Sequence, residues 1–155
     1  MGNVMVNTLS LDCARLTGWC VAHGGTLAEW GEIDLGNKCK ESELWKFLSE
    51  ITTRHGIRRV VAEDIYFDRN PLTFMRLANL HGVIRLFCQS NGIELITDDY
   101  RPTEWKRALV GDAYASKDKV RTYINNLLHT SIKSDNTTDA IGIMAVLLKR
   151  DRRRA

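Results

Sequence analysis

The chain lacks several things, and each absence narrows its class. No apolar run comes near the ~20 residues that a membrane-crossing helix needs. The N-terminus carries no basic segment leading into a signal-like apolar core. The four cysteines, Cys13, Cys20, Cys39 and Cys88, never fall in CxxC spacing. Neither a zinc site nor a disulfide framework is therefore indicated, and reduced thiols in or near the core are expected. No internal repeat and no low-complexity linker divides the sequence. With 44% hydrophobic and 26% charged residues, the composition is globular rather than disordered. The expectation is one soluble, cytoplasmic domain over residues 1–155, long enough to bury a real core, with no membrane partner and no organic cofactor.

Charge placement says more than the modest net charge of +3. Positive side chains concentrate in the tail KRDRRR (149–154) and between Arg101 and Arg121. Charge runs are ordinarily solvated surface. Together these two also fit a polyanion-binding face.

Period-2 patterning predicts strands over 4–12, 18–23 and 25–35, joined by short turns at Ala14–Gly18 and Gly24-Gly25, which makes an antiparallel meander. Leu44, Phe47, Leu48 and Ile51 recur at helical spacing, with His55-Gly56 as a stop. RRVVAE (58–63) comes off that helix as a buried strand, predicted to run parallel to the first. Asn70-Pro71 is a cap followed by a first-turn proline, opening a helix to Asn91-Gly92. A further strand is predicted at 93–97 and a short helix from Pro102 through Leu109. The loop VGDAYASKDK precedes a helix carrying Val120, Tyr123, Ile124 and Leu127. A capped apolar helix is predicted over 134–150. The fold class is α/β: a mixed five-stranded sheet, three strands antiparallel and then parallel ones, with helices on both faces.

Three acids stand at element ends. Asp12 closes the first strand, Glu63 closes the strand predicted beside it, and Asp139 lies in the first turns of the last helix. Each alone has an ordinary explanation: a turn former, a solvent-facing strand end, an acid favoured at a helix N-terminus. Brought together they would repel, and an ionised carboxylate at an apolar element end is costly unless paired. A divalent cation removes that cost. Oxygen ligands without His/Cys spacing point to Mg²⁺ or Mn²⁺ rather than zinc.

Four stretches together resemble the RuvC group of Holliday junction resolvases, within the RNase H-like superfamily. LSLDCARLTGWCV is similar to that family's first strand, catalytic Asp, turn and Thr-Gly. VVAEDIYFDRN resembles its second motif, RALVGDAYASKDKV its Val-Gly and lysine loop, and DNTTDAIGIMAVLL its final acidic helix. The likeness covers residues 4 to 150, and the compact length suits a stand-alone phage or bacterial form. Two positions depart from the pattern. Cys13-Ala14-Arg15 stands where a glycine is common, and Asn136 stands where the family places an acid or histidine. Both can share a helix face with Asp139, so the fourth ligand is then Asp135 or the Asn136 carbonyl, with Asp135 favoured.

The resemblance implies metal-dependent phosphodiester hydrolysis with two Mg²⁺ ions per site, Mn²⁺ substituting, about 4 Å apart. In that arrangement Asp12 bridges both ions, Glu63 holds one, and Asp139 with Asp135 the other. Lys117 matches the family's loop lysine, offsetting charge at the scissile phosphate. Tyr66 occupies the aromatic position that stacks on a base unpaired at the junction centre, while Phe67 packs inward. Arg69, Asn70, Arg101, Lys106, Arg107, Lys119 and Arg121 are the expected DNA contacts. The expected partner is a four-way junction, cut by paired nicks. A two-fold homodimer is expected because Leu72, Phe74, Met75, Leu77, Leu80, Val83, Ile84, Leu86 and Phe87 cover most of one helix. Other readings are a nuclease of flaps, forks or R-loops, and a catalytically silent DNA-binding module, which has no need of three acids. An actin-like ATPase needs two such domains and is set aside.

Overall fold

The computed structural model describes residues 5–38, 40–66 and 70–155. Strands β1 (Thr8–Asp12), β2 (Leu16–His23) and β3 (Thr26–Asp34) form the antiparallel meander, and β4 (Arg59–Ala62) and β5 (Glu94–Ile96) extend it in parallel. The sheet order is β3-β2-β1-β4-β5, so β1 lies at its centre. β1 and β5 are shorter than the apolar pattern suggested, because residues 5–7 and Thr97 leave the ladder.

Alternation along the central strands splits the interior into two layers. Leu9, Leu11, Val21, Val60 and Ala62 face α1 (Lys40–His55) and α2 (Pro71–Asn91). Cys20, Ala22 and Val61 face the other side, covered by α5 (Asp135–Arg154) with α3 (Pro102–Val110) and α4 (Lys117–Leu128). α2 is capped as its sequence required: the Asn70 side chain accepts from the Leu72 and Thr73 amides, and Gly92 closes the helix in the left-handed region at φ 62°.

Two boundaries differ from expectation. Lys117 and Lys119 belong to the first turn of α4 rather than to a loop, because Ser116 caps that helix by accepting from the Lys119 amide at 3.1 Å. α5 continues through the basic tail to Arg154, and Asp151 within it pairs with Arg59 at 2.6 Å. Arg152, Arg153 and Arg154 fill its last turn, where cations suit the helix dipole. The tail therefore stands about 20 Å along the helix axis from Asp139. Lys149 and Arg152 line one shallow recess with Ala108 and Leu109 of α3. No helix among the described residues is long and apolar enough to cross a membrane.

Candidate active site

β1 and β4 deliver two acids side by side. Leu11 is in register with Ala62, and the Glu63 amide then donates to the Leu11 carbonyl at 3.2 Å, which sets Glu63 next to Asp12. α5 brings the third. Ser10, buried one residue-pair down β1, donates to the Ala140 carbonyl at 2.6 Å and pins the helix against the central strand. On the neighbouring strand, Gly18 lies opposite Asp12. A Cβ there would sit 1.8 Å from the Asn136 carbonyl oxygen, so only glycine lets the start of α5 approach this closely.

The three carboxyls act on one another. Burial pushes Asp12 well above the ordinary carboxylate range, and the charges of Glu63 and Asp139 push it further. Burial raises Glu63 to about 7, against a hydrogen bond from Trp105 that favours its charged form. Burial likewise raises Asp139 to about 6. Lys106 and Lys117 pull all three downward, so both ammonium groups stand near the cluster.

Asp139 is 8% exposed, and its Oδ1 is buried with no hydrogen-bond partner. Such an atom costs roughly 1–3 kcal/mol and more for a charged group, unless a cation completes it. Among the described residues, no three acids, histidines or cysteines already close around one point. The carboxyls lie near enough to feel each other's charge without forming a finished cage. An all-oxygen, mutually repelling set with an orphaned buried atom fits hard divalent cations.

The remaining expected residues divide. Asp135 accepts from Arg121 at 2.5 Å and still adds its charge to Asp139. The Asn136 Nδ2 donates to Glu32 Oε2 at 3.0 Å. Arg121 is not a free cation, since its guanidinium also pairs with Asp118, and it ties α4 to α5. Lys119 is paired with Asp112 at 3.0 Å. The Asn70 side-chain oxygen is used in capping α2. Arg101 is exposed and stands 3.6 Å from Asp64. Arg107 is exposed and Lys106 half-buried beside the Trp105 ring. Tyr66 is 55% exposed at the strand exit. Phe67 and Arg69 lie outside the described residues.

Two contributors carried no readable signal. Trp105 is fully buried and donates from Nε1 to Glu63 Oε2 at 2.7 Å. Glu32 on β3 accepts from both Ser134 Oγ at 2.5 Å and Asn136, fixing the entry to α5. Trp105 fell within the predicted helix from Pro102, and Glu32 within the predicted strand 25–35, with nothing to single out either.

Comparison with known proteins settles the family. The family model described as crossover junction endodeoxyribonuclease RuvC matches residues 31–147. The chain belongs to the RuvC family. RuvC of Sulfurovum sp. is 30% identical over 156 residues, covering 94% of this chain and 96% of its own. RuvC of Brachyspira hyodysenteriae is 29% identical over 111 residues, 72% of this chain and 68% of its own. Among solved structures, Thermus thermophilus RuvC in complex with a Holliday junction substrate superposes with a TM-score of 0.79 over 96% of both chains, at 16% identity. That likeness establishes the shared RNase H-like fold.

Proposed function

We propose that this RuvC family member is an endodeoxyribonuclease that resolves four-way DNA junctions by metal-dependent phosphodiester hydrolysis, making paired nicks. The observation that carries the reading is Asp139 Oδ1, buried without a partner beside two further carboxyls whose burial and mutual repulsion raise them. Family membership supplies the substrate class.

Asp12, Glu63 and Asp139 would hold the metal, with Asp135 rather than Asn136 as the fourth acid. Two Mg²⁺ ions, or Mn²⁺ in their place, would activate water on one side of the phosphorus and stabilise the leaving 3′ oxygen on the other. Trp105 orients Glu63 and holds its charged form. Lys106 and Lys117 lower the cost of gathering carboxylates and would meet the scissile phosphate. Tyr66 offers its face to an unpaired base at the junction centre. Arg101, Arg107 and Arg69 would contact flanking phosphates, which position DNA without reading sequence.

The dimer belongs to the same reading. α2 buries Leu80, Ile84, Phe87 and Cys88 on one stripe. On another, Leu72 (63% exposed), Met75 (59%) and Leu86 (57%) stand in solvent, with exposed Asn79 and Gly82 completing a three-four spacing. A two-fold pairing of this stripe would bury it and would match the two-fold symmetry of a four-way junction.

The deciding experiment compares a synthetic four-way junction, a flap, a fork and linear duplex, each with Mg²⁺ or with EDTA. Symmetric paired nicks on the junction, only with metal, are expected. Preferential cutting of flaps or forks would replace the substrate assignment, and cutting in EDTA would remove the metal.

A further inference from the structure

The groove beyond Glu63 carries an aromatic that the proposed function leaves unused. Tyr114, on the loop between α3 and α4, is 87% exposed, more than any other large apolar side chain among the described residues. Isolated exposed apolar residues are common and need no explanation. This one differs in how it is held and in what lies beside it. The Asp112 carboxylate accepts from the Tyr114 amide at 2.9 Å and from Lys119 Nζ at 3.0 Å, Ala115 is buried, and Ser116 caps α4. The loop thus presents the ring from a fastened backbone.

Tyr114 and Tyr66 line one groove of about 540 Å³, with Pro102 and Thr103 between the cations Arg101 and Lys106. That volume lies within the ~300–1,000 Å³ of clefts that hold compact organic ligands. No carboxylate is among its lining residues. A smaller recess lined by Glu63 shares Tyr66 and Pro102 with it, so the two together run from Glu63 to Tyr114. Aromatic faces interleaved with cations and free of acids are the chemistry of an unpaired nucleic-acid strand: bases stack on rings, and phosphates meet ammonium and guanidinium groups. Bases in a duplex have both faces covered and cannot use the rings.

We propose that Tyr114 is a second base-stacking residue, holding the unpaired nucleotide next to the one stacked on Tyr66. This rests on the site's reading as a nuclease of branched DNA. Opening two nucleotides at the branch, rather than one, would then be part of how the strand is led toward Glu63 and its neighbouring acids. Arg101 would hold the phosphate that joins the two nucleotides, and Lys106 the next one toward the acids.

The test uses the full chain in EDTA, so that binding is separated from cutting. The probes are a duplex with a two-nucleotide bulge, each bulge position in turn being 2-aminopurine, and the fully paired duplex of the same length. Tyr114→Ala should weaken binding to the bulged DNA about tenfold, equivalent to about 1.4 kcal/mol, and much more than it weakens binding to the duplex. Quenching at one bulge position should depend on Tyr66 and at the other on Tyr114. Tyr114→Phe should restore both readouts, because the ring and not the hydroxyl does the stacking. Equal losses on both DNAs, no loss on the bulge, or failure of Tyr114→Phe to rescue would overturn the proposal. Its failure is distinct from failure of the nuclease reading. Wild-type protein that cuts junctions with Mg²⁺ while Tyr114→Ala binds bulged DNA normally would sink the stacking role alone. Protein that cuts no junction but shows the Tyr114-dependent quench would sink the cleavage reading alone.

Discussion

Trp105 donates its indole N–H to Glu63 Oε2 at 2.7 Å, from a side chain with no exposed surface. The bond favours the ionised acid and opposes the burial that lifts Glu63 to about 7. Trp105→Phe keeps an aromatic in place and removes the donor. Glu63 should then protonate at still higher pH, and the acid limb of the cleavage profile should move to the alkaline side. Loss of the buried bond should also cost about 1–3 kcal/mol in stability, read by denaturant melts. An unmoved limb would separate Glu63 from the reaction.

Replacing Asp12, Glu63 or Asp139 by its amide should lower junction cleavage by roughly a hundredfold or more. Binding should survive, because each amide removes a charge that repels phosphate. Asp139→Asn should also raise the melting temperature of the metal-free protein at pH 8, since the buried unpaired charge is gone. Gel-shift and cleavage assays on one preparation check the first claim, and a melt in EDTA the second. Asp12→Asn protein cutting at the wild-type rate would end the metal hypothesis.

Stability should depend on pH and metal together. From the ordinary carboxylate range up to about 6 for Asp139 and about 7 for Glu63, the folded protein binds protons that the unfolded chain has released. Metal-free stability contributed by these groups is therefore greatest in acid and falls as pH rises through that window. A cation needs the deprotonated ligands, so its stabilisation grows over the same range. Melts at pH 5 and pH 8 should show Mg²⁺ raising the transition strongly at pH 8 and little at pH 5. Equal shifts at both would place the ion elsewhere.

Gly18→Ala tests how α5 is seated. A Cβ 1.8 Å from the Asn136 carbonyl oxygen cannot be accommodated without moving the helix start that carries Asp135 and Asp139. The expected cost is about 1–3 kcal/mol in stability, with cleavage falling further than stability alone explains. Circular dichroism melts and single-turnover cleavage below the transition would check both. Normal cleavage would show that the acids do not depend on this packing.

A charge on the exposed stripe of α2 should separate the proposed dimer. Leu86→Lys or Met75→Glu leaves the monomer core untouched, since both side chains already face solvent. Sedimentation at micromolar concentration should show dimer for the wild type and monomer for either variant, and paired nicking should become single, uncoordinated nicking. A monomeric wild type would refute the pairing.

Much of this site could be read before any coordinates. Asp12 and Glu63 stood out because each closes a predicted strand, although either alone had an ordinary explanation. Asp139 followed from the cap and apolar face of α5. The family motifs then tied the acids to one chemistry. What stayed hidden depends on side chains meeting across elements, which leaves no period in a sequence. Arg121 read as a DNA contact, yet it bridges α4 and α5 through Asp118 and Asp135. Trp105 finds Glu63 only after α3 has packed on α5, where Gly142 leaves room for its ring. Lys117 looked like loop because Ser116 is an N-cap only once the residues after it are helical. The basic tail looked like a free patch because Arg59, which holds Asp151, is far away in the chain.

The clamp between Arg59 and Asp151 has a consequence for motion. It fastens the far end of α5 to the beginning of β4, while Ser10 fastens the near end to β1. Between them Ala140, Ile141, Ile143 and Met144 have no exposed surface. Amide protons in this stretch should exchange with solvent only when the whole fold opens. Asp139 thus rides on the slowest-exchanging part of the chain. A branched strand can settle against the groove without loosening the helix that carries this carboxylate.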